Sequence, residues 1–178
     1  MNFKLKNSET IFNGKIIELK VDHIEYDSGN LGIREVAVHP GGAAVVAVKD
    51  DGKIILVKQF RHPIQQSILE LPAGKLDKGE DPLVCATREL SEETGYKAGK
   101  FEKLGVISTS PGFCTEILHL YLAVDLIAGN HHREEGEYGM QVLEFSMDEI
   151  EQMIENGGII DAKTICGIYM AKKKLKIS

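Results

Sequence analysis

The chain reads as an α/β (α+β) protein, with strands and helices gathered around a central sheet and an antiparallel strand module at the N-terminus. Three observations predict this. Apolar and polar residues alternate through KIIELKVDHIEY and GIREVAVH, two strongly apolar runs meet at Asp51-Gly52, and a well-bounded helix follows a short strand near the middle of the chain.

The two alternating stretches are separated by DSGN and predict a β-hairpin or meander, each strand carrying one apolar face that something must cover. Gly41-Gly42 interrupts the alternation. AAVVAVKD and KIILVKQF then read as core strands joined at Asp51-Gly52, and ILELPAGK as one short strand. The helix runs from Asp81 to about Thr94. Aspartate caps the first free amides, Pro82 fits the first helical position and Gly95 is the stop. KLGVIST and ILHLYLAVDL are further strands. After the polar segment GNHHREEGE, a strand around QVLEF leads to a helix near Ser146, where Ser146 and Glu149 form a capping-box pattern. A last helix is expected from about Asp161 to Lys174. The sequence shows no repeat, low-complexity linker or coiled coil.

A chain of 178 residues, 43% hydrophobic, can bury one substantial core. No apolar run approaches the roughly 18 to 20 residues of a membrane span. The opening MNFKLKNSETIFNGK lacks the apolar centre of a secretory signal, so the cytoplasm is the expected compartment. Cys85, Cys114 and Cys166 are odd in number and widely spaced, which suggests reduced thiols rather than a disulfide framework or metal site. A net charge of −6 disfavours a large nucleic-acid surface. His131-His132 lack a third ligand at a recognisable spacing and read as loop residues.

The segment GKLDKGEDPLVCATRELSEETGY concentrates the chemistry. Glu89 and Glu93 are four residues apart and Glu92 lies three from Glu89, so their carboxylates share or adjoin one helical face. Like charges at that spacing repel, and two groups can compensate them: Arg88, which reaches Glu92 at i,i+4, and a hard divalent cation, which favours oxygen ligands. Glu80 is read either as a ligand for a further cation or as a brace for the helix start.

Gly74, five residues, Glu80, seven residues, then Arg88-Glu89-Leu90, Ser91, Glu92-Glu93, Thr94 and Gly95 resemble the box of the Nudix hydrolase family, with Tyr96 in place of the usual aliphatic residue. VKQFRHPIQQSILELPAGK before it and STSPGFCTE after it, with Pro111 fifteen residues beyond Tyr96, resemble the ADP-ribose pyrophosphatase (ADP-sugar diphosphatase) branch. The resemblance implies the Nudix fold, mixed β-sheets sandwiched by helices. Residues 1–40 would be a strand module for dimerisation and 41–178 the catalytic domain. It further implies hydrolysis of ADP-ribose to AMP and ribose 5-phosphate, with Mg²⁺ as cofactor and Mn²⁺ as its substitute. Glu89, Glu92, Glu93 and the backbone of Ala73 would hold the metal, with Arg88 as brace. Arg34, Arg61, Glu70, Gly112 and Glu116 would meet the substrate. The base that activates water would be Glu135 or Glu137 in HHREEGEYG, with Glu92 the next candidate. A hydrolase of another sugar-nucleotide or damaged nucleotide, and an ADP-ribose sensor that does not cut, are the competing readings; the intact glutamates argue against the sensor.

Overall fold

The computed structural model describes residues 2–130 and 139–176. It divides into two compact units, Met1–Gly41 with Ser108–Ile117, and Gly42–Ile107 with Leu118–Ser178. No described helix is long and apolar enough to cross a membrane.

The first unit is an antiparallel sheet of three strands in the order β1-β2-β3: β1 (Phe3–Asn13), β2 (Glu18–Tyr26) and β3 (Leu31–Val38). The expected meander is β2 and β3, joined through DSGN by the Gly29 N–H to Tyr26 carbonyl bond of 2.8 Å. Strand β1 was not visible in the sequence. FKLKNSETIFN has no clean alternation, and every residue of the strand is exposed. STSPGFCTE adds to the same unit: the Ala37 amide donates to the Phe113 carbonyl at 2.7 Å, and the Thr115 amide to the Ala37 carbonyl at 3.0 Å. Ser108–Ile117 thus lies in the same compact unit as Met1–Gly41.

The second unit is built on a mixed sheet in the order β10-β5-β4-β9-β8. Its strands are β4 (Gly42–Val48), β5 (Ile54–Arg61), β8 (Tyr96–Ser108), β9 (Ile117–Ala128) and β10 (Gln141–Phe145). β4 runs parallel to β9 and antiparallel to β5. The alternation of β4 separates two layers. Ala43, Val45 and Ala47 pack with Cys85, Ala86 and Leu90 of helix α1 (Pro82–Thr94). Ala44 and Val46 pack with Ile150 of α2 (Met147–Glu155) and Ile168 of α3 (Ala162–Leu175). Both faces of β4 are thus buried, which is why it reads as a continuous apolar run.

ILELPAGK departs from expectation: it forms two strands, not one. β6 (Gln66–Glu70) pairs with β5, and β7 (Ala73–Lys75) pairs with β4. Pro72 has no N–H to give a ladder, and the Leu71 amide instead donates to Thr164 Oγ1 at 2.8 Å. The chain changes partner strand at that point, and this step carries Ala73 and Gly74 to α1.

Candidate active site

Local signals fix α1. Asp81 Oδ1 accepts the Leu83 amide at 2.8 Å, and Gly95, at φ 78°, closes the helix by donating to the Ser91 carbonyl at 2.9 Å. Between these ends Arg88 holds three carboxylates. Its Nε and Nη2 fork onto the two oxygens of Glu80 at 3.0 and 3.1 Å, and Nη1 donates to Glu89 Oε1 at 2.6 Å and Glu92 Oε2 at 3.0 Å. Glu80 also accepts the Asp77 amide at 2.9 Å, so it ties the loop before α1 to the helix. The hydrogen bond from Arg88 holds the Glu80 carboxyl below the usual range, and the same bond raises Arg88.

Glu89 and Glu93 are 7% and 3% exposed, which is unusual for two acids one turn apart. Glu93 Oε2 accepts the Ala73 amide at 3.0 Å, setting that peptide beside the helix. Gly74 lies against Glu89 so closely that a Cβ there would stand 1.8 Å from Oε1. Cys85 approaches the Gly74 and Lys75 carbonyls at 3.6 Å each, and burial pushes its thiol up to about 12. It is a packed, protonated group.

Among the described residues, no three acidic, histidine or cysteine side chains converge as a ready-made metal cage. Arg88 takes Glu89 and Glu92 instead. The donor set nevertheless fits a hard divalent cation of the Mg²⁺ type, which takes one or two carboxylates and keeps waters and substrate oxygens as its other ligands. Two nearly buried carboxylates, a third that is partly exposed, and a glycine that leaves room beside Glu89 supply that arrangement.

Beside α1, Arg61 at the end of β5 docks on Glu70 at the end of β6. Its Nε donates to Oε2 at 2.7 Å and its Nη2 to Oε1 at 3.2 Å. Lys163 Nζ also donates to Glu70 Oε1, at 2.6 Å, and to Asp161 Oδ2 at 3.0 Å. Burial lowers the Arg61 pKa, but the Glu70 bond and the nearby Glu70, Glu93 and Asp161 charges outweigh it, and the net direction is upward. No local pattern marks Lys163, whose partner is 93 positions away.

Arg34, Gly112 and Glu116 belong to the first unit. Arg34 donates to Tyr26 Oη at 2.5 Å and to the Ile33 carbonyl at 2.8 Å, with its guanidinium 5.8 Å from the Tyr26 ring centre. Glu116 accepts from Thr109 Oγ1 at 2.8 Å and lies 3.3 Å from His39 Nδ1. A Cβ on Gly112 would meet nothing, so the backbone there is open to close approach. Glu135, Glu137, His131 and His132 lie outside the described residues.

A sheet covered on both faces carries a helix whose Glu89 lies against Gly74 of a neighbouring strand, a donor set of the kind that suits metal-assisted hydrolysis. Residues 38–166 match the family model described as NUDIX domain. The chain is 46% identical to an ADP-ribose pyrophosphatase of Bacillus subtilis, over 93% of this chain and 90% of that protein. It is 43% identical to a methanol dehydrogenase activator of Bacillus methanolicus, with the same coverage of 93% and 90%. A crystal structure of an ADP compounds hydrolase superposes with a TM-score of 0.86, covering 99% of this chain and 95% of that one, at 20% identity, which speaks for the fold alone. The chain belongs to the Nudix family and is a Nudix hydrolase.

Proposed function

We propose that this protein hydrolyses the pyrophosphate bond of ADP-ribose, and of related ADP-sugars, to AMP and a sugar phosphate, with Mg²⁺ as its cofactor and Mn²⁺ able to replace it. The observation that carries this reading is the acidic cluster on α1 held by Arg88 against Gly74. The 46% identity to a protein named ADP-ribose pyrophosphatase supports the substrate. Glu89, Glu92, Glu93 and the Ala73 backbone would hold the cation, which would supply charge neutralisation to the phosphates and acidity to a water. Arg88 keeps the carboxylates in register. Arg61 meets a substrate phosphate through its free edge, since arginine suits bidentate recognition of phosphate. Glu70 fixes Arg61, and the resemblance to the ADP-ribose pyrophosphatase branch adds Arg34, Gly112 and Glu116 as substrate contacts. Glu135 or Glu137 takes the proton from the attacking water.

The same reading makes the protein a cytoplasmic homodimer, with residues 1–40 as the association module and 41–178 as the catalytic domain. Exposed apolar side chains support the association: Phe3, Leu5, Ile11, Phe12 and Ile33 are all more than half exposed and Leu31 is 78% exposed, on a sheet whose only buried apolar side chain is Ile24 among the described residues. Sedimentation of the whole chain tests this, and a stable monomer at micromolar concentration contradicts it. A panel of ADP-ribose, ADP-mannose, GDP-mannose and flavin dinucleotide, with products identified, tests the substrate. The reading requires ADP-ribose to have the highest kcat/KM. The relative named methanol dehydrogenase activator favours a second reading, action on a partner dehydrogenase. Stimulation of such an enzyme without turnover of any nucleotide would select that one.

A further inference from the structure

Glu70 is 2% exposed, and a carboxylate taken out of water needs its charge compensated. The bidentate contact with Arg61 already supplies one full positive charge. A second cation is nonetheless built in: Lys163, itself nearly buried, donates to Glu70 Oε1 at 2.6 Å. The lysine is not free to leave. Asp161 Oδ2 holds it at 3.0 Å while accepting the Thr164 amide at 3.0 Å and the Thr164 hydroxyl at 2.6 Å, and Thr164 Oγ1 accepts the Leu71 amide. The N-terminus of α3 is thus clamped to the end of β6.

The consequence falls on Arg61. It gives its Nε and Nη2 edge to Glu70, its side chain stays 41% exposed, and Nη1 donates to no protein group among the described residues. How strongly the outer edge attracts an anion depends on how much of the Glu70 charge is already neutralised from behind. We infer that Lys163 is a positioning residue for substrate binding, sharing the charge of Glu70 so that Arg61 keeps an outward edge and its positive field for a phosphate of a nucleoside diphosphate ester. This rests on the reading of Arg61 as a phosphate contact.

A double-mutant cycle tests it, with KM and kcat measured on the ADP-sugar that the wild type turns over and unfolding followed in parallel. Lys163→Met is expected to raise KM about tenfold and to change kcat much less, and Lys163→Arg to return KM to within about threefold of wild type. Arg61→Ala should raise KM at least as far. In the Arg61→Ala background, Lys163→Met should then add less than about twofold, because its effect passes through the missing guanidinium. Independent, multiplying effects, or a loss confined to kcat or to thermal stability, overturn the inference. If Lys163→Met does not fold, Lys163→Gln keeps a donor for Glu70 without the charge and must raise KM likewise. An unchanged KM in Arg61→Ala with turnover intact overturns the inference while leaving the hydrolase reading in place.

Discussion

Replacing Gly74 by alanine would push a methyl group into the carboxylate of Glu89. The new Cβ would lie 1.8 Å from Oε1, 2.0 Å from Cδ and 2.6 Å from Oε2. Non-bonded carbon atoms settle at about 3.5 to 4.0 Å, so the carboxylate must retreat by roughly 1.5 to 2 Å. Its freedom to do so is small, since Arg88 Nη1 holds Oε1 at 2.6 Å and the residue is 7% exposed. Misplacing a catalytic group by about 1 Å costs on the order of 10²-fold in rate, about 2.7 kcal/mol. Overpacking adds about 1 to 3 kcal/mol of lost stability. Steady-state hydrolysis of ADP-ribose over a Mg²⁺ titration, alongside urea unfolding, separates the two. The expected variant is folded, with kcat reduced about 10²-fold and only partly recovered by excess Mg²⁺. A folded variant with kcat within about threefold of wild type would show that Glu89 and Gly74 do not form one site.

Arg88→Met leaves Glu80, Glu89 and Glu92 without their shared cation and is expected to cost about 3 kcal/mol or more in urea unfolding; a loss under about 1 kcal/mol would reduce Arg88 to a surface pair. Glu80 supplies a pH dependence. Its folded-state pKa lies below the ordinary 4.5, so its contribution is present above that value and is lost as pH falls through the depressed one. Stability should therefore fall less as the pH is lowered below about 4.5 in Glu80→Gln than in wild type, and identical slopes would contradict this. Cys85, buried and pushed up to about 12, should stay unmodified by a thiol reagent near neutral pH in the native protein, and labelling of Cys85 seen by mass spectrometry would refute that.

The acidic helix was legible in the sequence because its determinants are local: Asp81 and Gly95 mark its ends, and the glutamate spacing sets one face. The capping box at Ser146 was legible for the same reason, and Ser146 Oγ does accept the Glu149 amide while Glu149 returns a bond to the Ser146 amide. The partner change at Leu71-Pro72 was not legible, because which strand accepts Ala73 is decided by where β4 lies and by Thr164 far along the chain. Strand β1 escaped because it buries no face. The contact of Lys163 with Glu70 has no local signature at all, since a lysine two residues into a helix is ordinarily a solvated one.

Product analysis of ADP-ribose incubated with wild type and with Glu93→Gln, with Mg²⁺ present or chelated, tests whether the α1 carboxylates carry the hydrolysis. Glutamine keeps the size of the side chain and its contact with the Ala73 amide but removes a carboxylate charge from the site. AMP and ribose 5-phosphate are expected from the wild type with Mg²⁺, neither when the metal is chelated, and a rate lower by about 10²-fold or more in a folded Glu93→Gln. Undiminished Mg²⁺-dependent release of the two products by that variant would contradict this.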